Sequence, residues 1–510
     1  MIVPTLEKDA LRRPYSHLLL RFNVSGAAGS YETYRGRISY GREFKSGLDM
    51  LLSGSFYASQ GPEALYFKEF DDPLTNNGIA RHADGDRFQQ LFANVSYGSF
   101  TLQGVYGSRD KHVPTGAFGT LINNRGTHTV DARGYVDLQY QRQIAGGWQL
   151  ATRLYFDRYD YTGTYVSESP AQDAAATVTQ KDLGRGTWGG GEAIVSKKLL
   201  ERHHVTLGLN YRHHLRQDQT TYDLQPFYEY LDDRRSSADG GLYIQDEIRL
   251  SKSLILNVGL RYDHYSTFGG STNPRAALIY TPFERTTFKL LYGQAFRAPN
   301  FYELYYNAPG NEANPSLRPE RVKATELVWE QYLRNRFRLT VTGFNYPIRD
   351  LINTESGIAE GAVQYRNDDS VDIRGLDLSV RRRSPWGLEG GVNYSFQVAR
   401  NHDPTDLPVN SPSHLGRAFL SAPLIRRLLF ASFDLQYVSS RRTLADHQVA
   451  SYAISNLTIL SRSFWEKWEV SASFYNLFDR KYGDPGGSEH PQDVLQQDGR
   501  KFRMKVGYSF

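Results

Sequence analysis

Four histidines and four carboxylates have the types and grouping to hold a metal: His203 with His204, His213 with His214, and Asp71, Asp72, Asp84 and Asp86, the last two flanking Gly85. At about 3.3 Å per residue, an extended segment would separate the two histidine pairs by roughly 30 Å. They cannot share one ion. Adjacent residues of a strand also point to opposite faces, so the pairs read as turn and rim residues. Asp84 and Asp86 are calcium candidates through their carboxylate oxygens, although the spacing is not that of an EF-hand and a solvated acidic loop has the same composition.

Covalent and phosphoryl chemistry find no support. The chain has no cysteine, and it contains no nucleophile elbow, Walker loop or His-Glu-x-x-His zinc pair. Gly189, Gly190 and Gly191 follow Trp188, but Glu192 to Val195 continue as a strand, so no helix N-terminus is there to cradle a phosphate. The run reads as a flexible strand opening. Neither enzymatic activity nor a resident cofactor is expected.

The elements that would position any site are strands. Aromatic residues make up 13% of the 510, yet no run approaches the roughly 18 consecutive apolar residues of a spanning helix. Phe502, Met504, Val506, Tyr508 and Phe510 alternate with Arg503, Lys505, Gly507 and Ser509, so one face is apolar and the other cationic or small. A half-buried strand of a soluble sandwich would alternate too. Repetition separates the two: Val136, Leu138, Tyr140; Val205, Leu207, Leu209, Tyr211; Leu256, Val258, Leu260, Tyr262; and Phe433, Leu435, Tyr437 each end an apolar face on tyrosine, as a membrane interface favours.

Links alternate in length as well. Short ones fall at 282–286, 334–336, 384–387, 425–427 and 464–467, and long polar ones at 298–323, 347–371, 398–413, 439–450 and 477–499. Towards the N-terminus further long loops fall at 60–89, 107–131, 161–187 and 215–240, with smaller ones at 25–31 and 265–272. This is the asymmetry of turns and loops in a transmembrane antiparallel β-barrel, all-β, of about 22 strands. The barrel is expected over 15–510, with 1–14 as an N-terminal remnant or linker from a plug missing here. The net charge of +5 is spread without a basic block, so nucleic acid is not an expected partner.

The most specific stretch is Tyr292, Gly293, Gln294, Ala295, Phe296, Arg297, Ala298, Pro299, then Tyr302, Glu303, Leu304, then Asn314, Pro315, Ser316, Leu317, Arg318, Pro319, Glu320. It resembles the characteristic loop region of TonB-dependent outer-membrane receptors. Gly259 to Asp263, Asn273 to Arg275, Tyr365 to Asn367, Arg374 to Asp377 and Phe474 to Asp479 with Lys481 and Tyr482 are similar to the same family. The resemblance implies a 22-stranded barrel in the Gram-negative outer membrane, surrounded by its lipid, with a lumen plug and a TonB box contacting the TonB complex. Neither has a matching stretch in these residues. The implied activity is energised uptake of a scarce solute such as a siderophore, cobalamin or similar small molecule, the identity of which is left open. Haem receptors of the family carry a histidine between the two boxes; 300–313 has none, which disfavours haem.

Pro299 cannot donate a ladder hydrogen bond, so a strand stops there. Arg297 then points into the lumen mouth, to anchor the loop on a carboxylate or to meet an anionic ligand. Tyr302, Tyr305, Tyr306, Arg318 and Arg321 are the further candidates for ligand contact, by stacking and charge pairing. Phe510 resembles the aromatic terminus that barrel-assembly machinery recognises. A monomer is expected. The competing readings are a passive porin-like channel and, from another class, a soluble β-propeller or sandwich acting as enzyme or adhesin.

Overall fold

The computed structural model describes residues 21–169, 177–334, 336–357, 361–402, 408–425, 428–464 and 467–510. The expected remnant at 1–14 lies outside the described residues. Strands dominate, and no described helix is long and apolar enough to cross a membrane.

One antiparallel sheet closes on itself. Each long strand pairs with the next in sequence, and the first, Arg21–Gly29, pairs with the last, Lys501–Ser509, from Asn23 opposite Ser509 to Gly29 opposite Arg503. Of the 23 strands in this sheet, the two-residue Asn311–Glu312 pairs parallel to Val363–Arg383 in a loop, which leaves a wall of 22. A closed sheet has no edge strands, so the wall can sit in a medium that offers backbone groups no hydrogen bonds. Closure also removes the sandwich and propeller alternatives.

Residue alternation assigns the two faces. Leu207, Leu209, Tyr211, Leu242, Ile244, Leu260, Tyr262, Leu290 and Tyr292 project outward and are exposed. The inner wall is ionic: Arg133 meets Asp157 at 2.6 Å, Arg212 meets Asp239 at 2.9 Å, Lys289 meets Glu330 at 2.9 Å and Arg417 meets Asp434 at 2.7 Å. Asp137, nearly inaccessible, is paired with Arg153. A carboxylate held away from water needs such a partner, since desolvation alone would drive it neutral. In the last strand Lys505 reaches Glu469 at 3.1 Å and Arg503 covers the Tyr475 ring, so both cations take the lumen side assigned from the pattern.

Links at one rim have two to five residues, and the long loops gather at the other. Three of the expected loops are largely strand instead. Gln149–Glu168 with Thr177–Leu199, His203–Leu224 with Phe227–Arg249, and Phe337–Ser356 with Val363–Arg383 run as hairpins of about 20 residues a side, far past the roughly 9–11 needed to cross a bilayer. Beyond the lipid both faces meet water. A stretch such as Arg216 to Thr221 is then polar on both faces and shows no alternation, so it reads as a loop. The Gly189–Gly191 run likewise lies inside a strand, not at its opening. The Tyr155 ring lies across Gly190, where an added Cβ would strike its hydroxyl end.

Candidate functional site

At the loop rim, strand Thr286–Arg297 ends where Pro299 removes a donor, and the chain enters a five-residue helix, Phe301–Tyr305. Asn300 caps it: its side chain accepts from the Glu303 amide at 2.9 Å, while Glu303 accepts from the Asn300 amide at 2.8 Å. So short a helix would not persist alone. Arg297 holds it in place, with Nη1 donating to both Glu303 oxygens at 2.9 and 3.0 Å and Nε and Nη2 gripping Glu320 at 2.7 Å each. Glu320 also accepts from the Ile352 amide at 2.9 Å. Burial pushes the Glu320 carboxyl up, but Arg297 and that amide outweigh it and hold its pKa below the ordinary value. The guanidinium thus carries a geometry matched to two carboxylates at once.

The second box closes the same structure. Asn314 donates to the Tyr365 carbonyl at 2.8 Å and accepts from the Ser316 amide at 3.1 Å. Asn367 donates to the carbonyls of Arg318 and Asp350 at 2.8 Å each and accepts from the Arg318 amide at 2.8 Å. Leu304, 1% exposed, packs with Leu317 and Ile352 in a small core bordered by Tyr305 and Tyr365. Boxes separated by tens of residues therefore form one clasp. It holds the 298–319 loop against the hairpin of His203–Leu224 and Phe227–Arg249.

What the clasp presents is aromatic. Tyr302 stacks on Tyr306 with centroids 4.3 Å apart and meets Tyr365 edge-on at 6.1 Å, and Tyr305 carries the Arg235 guanidinium 3.7 Å above its ring. The Tyr306 hydroxyl lies 3.2 Å from that of Thr221, which donates to Asp182 at 3.0 Å; Tyr161 and Tyr165 join hydroxyls at 2.6 Å nearby. Gln219 donates to the Phe301 carbonyl at 3.1 Å and ties the helix to the neighbouring hairpin.

The remaining sequence candidates fall in several places. Arg297, Tyr302, Tyr305, Tyr306 and Glu320 come together at the clasp. Phe296 packs edge-on against Tyr265 at 5.7 Å, Ala298 is half-buried, Pro299 and Pro319 are buried, and Pro315 and Arg321 are exposed. Arg318 reaches Asp350 at 2.9 Å. Asp84 is paired with Lys111, and Asp86 with Arg109 at 2.8 Å. Asp71 takes the Tyr66 hydroxyl and Asp72 caps Leu74, so the four aspartates do not converge. His203 sits 2.7 Å from Asp246, His214 packs on Trp188, and no three His, Cys, Asp or Glu among the described residues are grouped to hold a metal.

Asp182, Thr221, Tyr161 and Tyr165 were not expected. Tyr161 and Tyr165, an even number of residues apart and so on one face of a strand, were the available signal, inside a segment read as a loop.

A second junction joins other long loops of the same rim. Arg441, 8% exposed, donates to Asn410 at 3.1 Å, to the Gly483 carbonyl at 3.2 Å and to Asp484 at 2.7 Å, with Tyr452 under its guanidinium. Loop 476–500 in turn meets loop 113–127, where Phe118 donates to the Glu489 carbonyl at 2.8 Å and Gln492 to the Thr115 carbonyl at 2.8 Å.

Comparison with known proteins fits this architecture. The family model described as TonB dependent receptor-like, beta-barrel matches residues 68–477. Among curated proteins, Heme/hemopexin utilization protein C of Haemophilus influenzae (strain 86-028NP) is 25% identical over 311 residues, covering 53% of this chain and 43% of that protein. The chain therefore spans less than half the length of the first relatives it matches. The vitamin B12 transporter BtuB of Vibrio vulnificus is 22% identical over 490 residues, covering 93% of this chain and 73% of that one. A solved structure of a ferric enterobactin receptor mutant from Pseudomonas aeruginosa, in complex with enterobactin, superposes with a TM-score of 0.76 at 17% identity, covering 96% of this chain and 81% of its own.

Proposed function

Because the chain belongs to the TonB-dependent receptor family, we propose that it is the barrel of an outer-membrane receptor that takes up a scarce solute with energy from the TonB complex. The observation that carries this reading is the loop rim, where the clasp and the Arg441 junction tie the long loops to one another above a lumen lined by fixed ion pairs. A passive pore gains nothing from loops tied to one another at its rim by shared ion pairs. A receptor gains a preorganised surface on which to hold a solute before release. Relatives named for haem, vitamin B12 and ferric enterobactin set the range of solutes to be tried, and a binding role rather than catalysis is consistent with all three. The reading includes a plug within the lumen, contact with TonB, insertion by barrel-assembly machinery and a monomeric state.

The test is uptake. Cells lacking the gene are compared with complemented cells for accumulation of labelled haem, cobalamin and a panel of ferric siderophores, with and without TonB. One solute is expected to lose saturable uptake in the deletion and equally in the strain without TonB. Unchanged uptake of every solute, or uptake that persists without TonB, overturns the proposal.

A further inference from the structure

Behind the short helix stands a carboxylate without a cation. Asp182 faces the lumen from strand Thr177–Leu199, opposite Gly163 on one side and Thr221 on the other. Among the described residues its hydrogen bond comes from Thr221, and no Lys, Arg or His pairs with it. The neighbouring arginines are occupied: Arg235 by Asp233 at 2.7 Å and by the Tyr305 ring, and Arg185, on the outer face, by Asp160 at 3.1 Å. Elsewhere in the lumen, buried carboxylates such as Asp137, Asp157, Asp239 and Asp263 each have an arginine. Asp182 departs from this, as does Asp223, which accepts from the Tyr230 hydroxyl at 2.6 Å.

Tyrosines surround it. Tyr161 and Tyr165 stand beside it on the next strand, Tyr306 reaches the same Thr221 hydroxyl from the helix, and Tyr302 stacks on Tyr306. Tyr302 is 41% exposed, so part of its ring remains open at the mouth. Burial raises the Asp182 pKa, as expected of a carboxylate set among rings with no compensating charge.

We propose that this cage binds the cationic group of a solute, an alkylammonium or guanidinium, between the Asp182 carboxylate and the tyrosine faces. A soft, dispersed cation suits ring faces, and the same helix already holds one, since the Arg235 guanidinium lies 3.7 Å over Tyr305. A hard divalent ion wants roughly six to eight oxygens, and one carboxylate does not supply them. An anionic group would meet an unpaired negative charge in a low-dielectric site. Because the bound cation favours the ionised carboxylate, affinity rises with pH until Asp182 is fully ionised.

This inference rests on the receptor reading and is tested apart from it. Choline and its uncharged isostere 3,3-dimethyl-1-butanol are titrated into the purified full chain in detergent, followed by tyrosine fluorescence. Choline is expected to bind about ten-fold more tightly, with the difference lost in Asp182→Asn. Tyr302→Phe should retain the preference and Tyr302→Leu should weaken it several-fold, while the folded band on an unheated gel confirms an intact barrel. Equal binding of the two probes, no saturable binding, displacement of choline by potassium at equal concentration, or an unchanged preference in Asp182→Asn each overturns the cage. TonB-independent uptake beside an intact choline preference overturns only the receptor reading. Failure of the choline preference with TonB-dependent uptake intact overturns only the cage.

Discussion

Arg297 and Glu320 are partners twice over: they stand opposite each other on the last rung between two wall strands, and their side chains meet in a two-point ion pair of 2.7 Å on each arm. The rung fixes where the loop leaves the barrel and where it returns. The third guanidinium nitrogen then fixes the helix inside that loop. A residue type often read as a ligand-binding charge is here engaged by two carboxylates.

Arg297→Ala should therefore leave Glu303 and Glu320 facing each other without a cation. The loss is about 1–3 kcal/mol, discounted because the arginine side chain is 43% exposed. It falls on the loop rather than on the wall, whose ladder is untouched. Limited chymotrypsin digestion should cut after Tyr302, 41% exposed in the same loop, several-fold faster in the variant, while heat resistance of the barrel stays the same. Unaltered cleavage would mean that the small Leu304 core holds the loop unaided.

The same pair sets a pH window. Glu320 is ionised more readily in the folded chain than its ordinary value near 4.5 would allow, so folding releases protons there. The stabilisation is complete above the unfolded pKa and is lost as pH falls through the lower folded one. Amide exchange in 298–319 should be flat from pH 7 to about 5, once corrected for intrinsic rates, and protection should fall progressively below about 4.5. In Glu320→Gln that acid-dependent step should be absent.

The Arg441 junction makes a separate prediction. One buried guanidinium serves Asn410, Gly483 and Asp484 at once, and a lysine, with a single compact head, cannot span them. Both Arg441→Ala and Arg441→Lys should broaden the distance distribution between spin labels at exposed positions 409 and 488. A narrow distribution retained in Arg441→Lys would show that charge, not the planar fork, is what matters.

How far the fold was legible follows from what surrounds each part. Inside the lipid, the bilayer forces apolar residues to every second position, and the faces of Leu207 to Tyr211 or Phe502 to Phe510 were read correctly, as were the short turns and the count of wall strands. Above the lipid nothing enforces alternation, so the upper halves of three hairpins were taken for loops. The clasp was visible only as boxes resembling a family. That Asn314 hooks Tyr365 and Asn367 hooks Arg318 depends on the pairing of Glu320–Leu333 with Phe337–Ser356 and of that strand with Val363–Arg383, and no local pattern encodes it. Asp182 was missed for the same reason as the hairpins: its segment has no lipid-facing row to mark it as strand.

Phe510 ends the last strand and also joins it to the first. Its amide donates to the Phe22 carbonyl at 2.8 Å, and its ring lies 5.2 Å from Phe22 and 4.5 Å from Tyr508. Yet the residue is 60% exposed, and closure rests on seven further paired positions between the two strands. Deleting it should cost about 1–2 kcal/mol in a preformed barrel, too little to open a seam of that length. Recognition by barrel-assembly machinery would make the cost in cells far larger. The comparison is between refolding of the purified deletion chain into detergent and its insertion in cells. Near-normal refolding with insertion reduced at least several-fold is expected, whereas equal effects in both would assign Phe510 to packing alone.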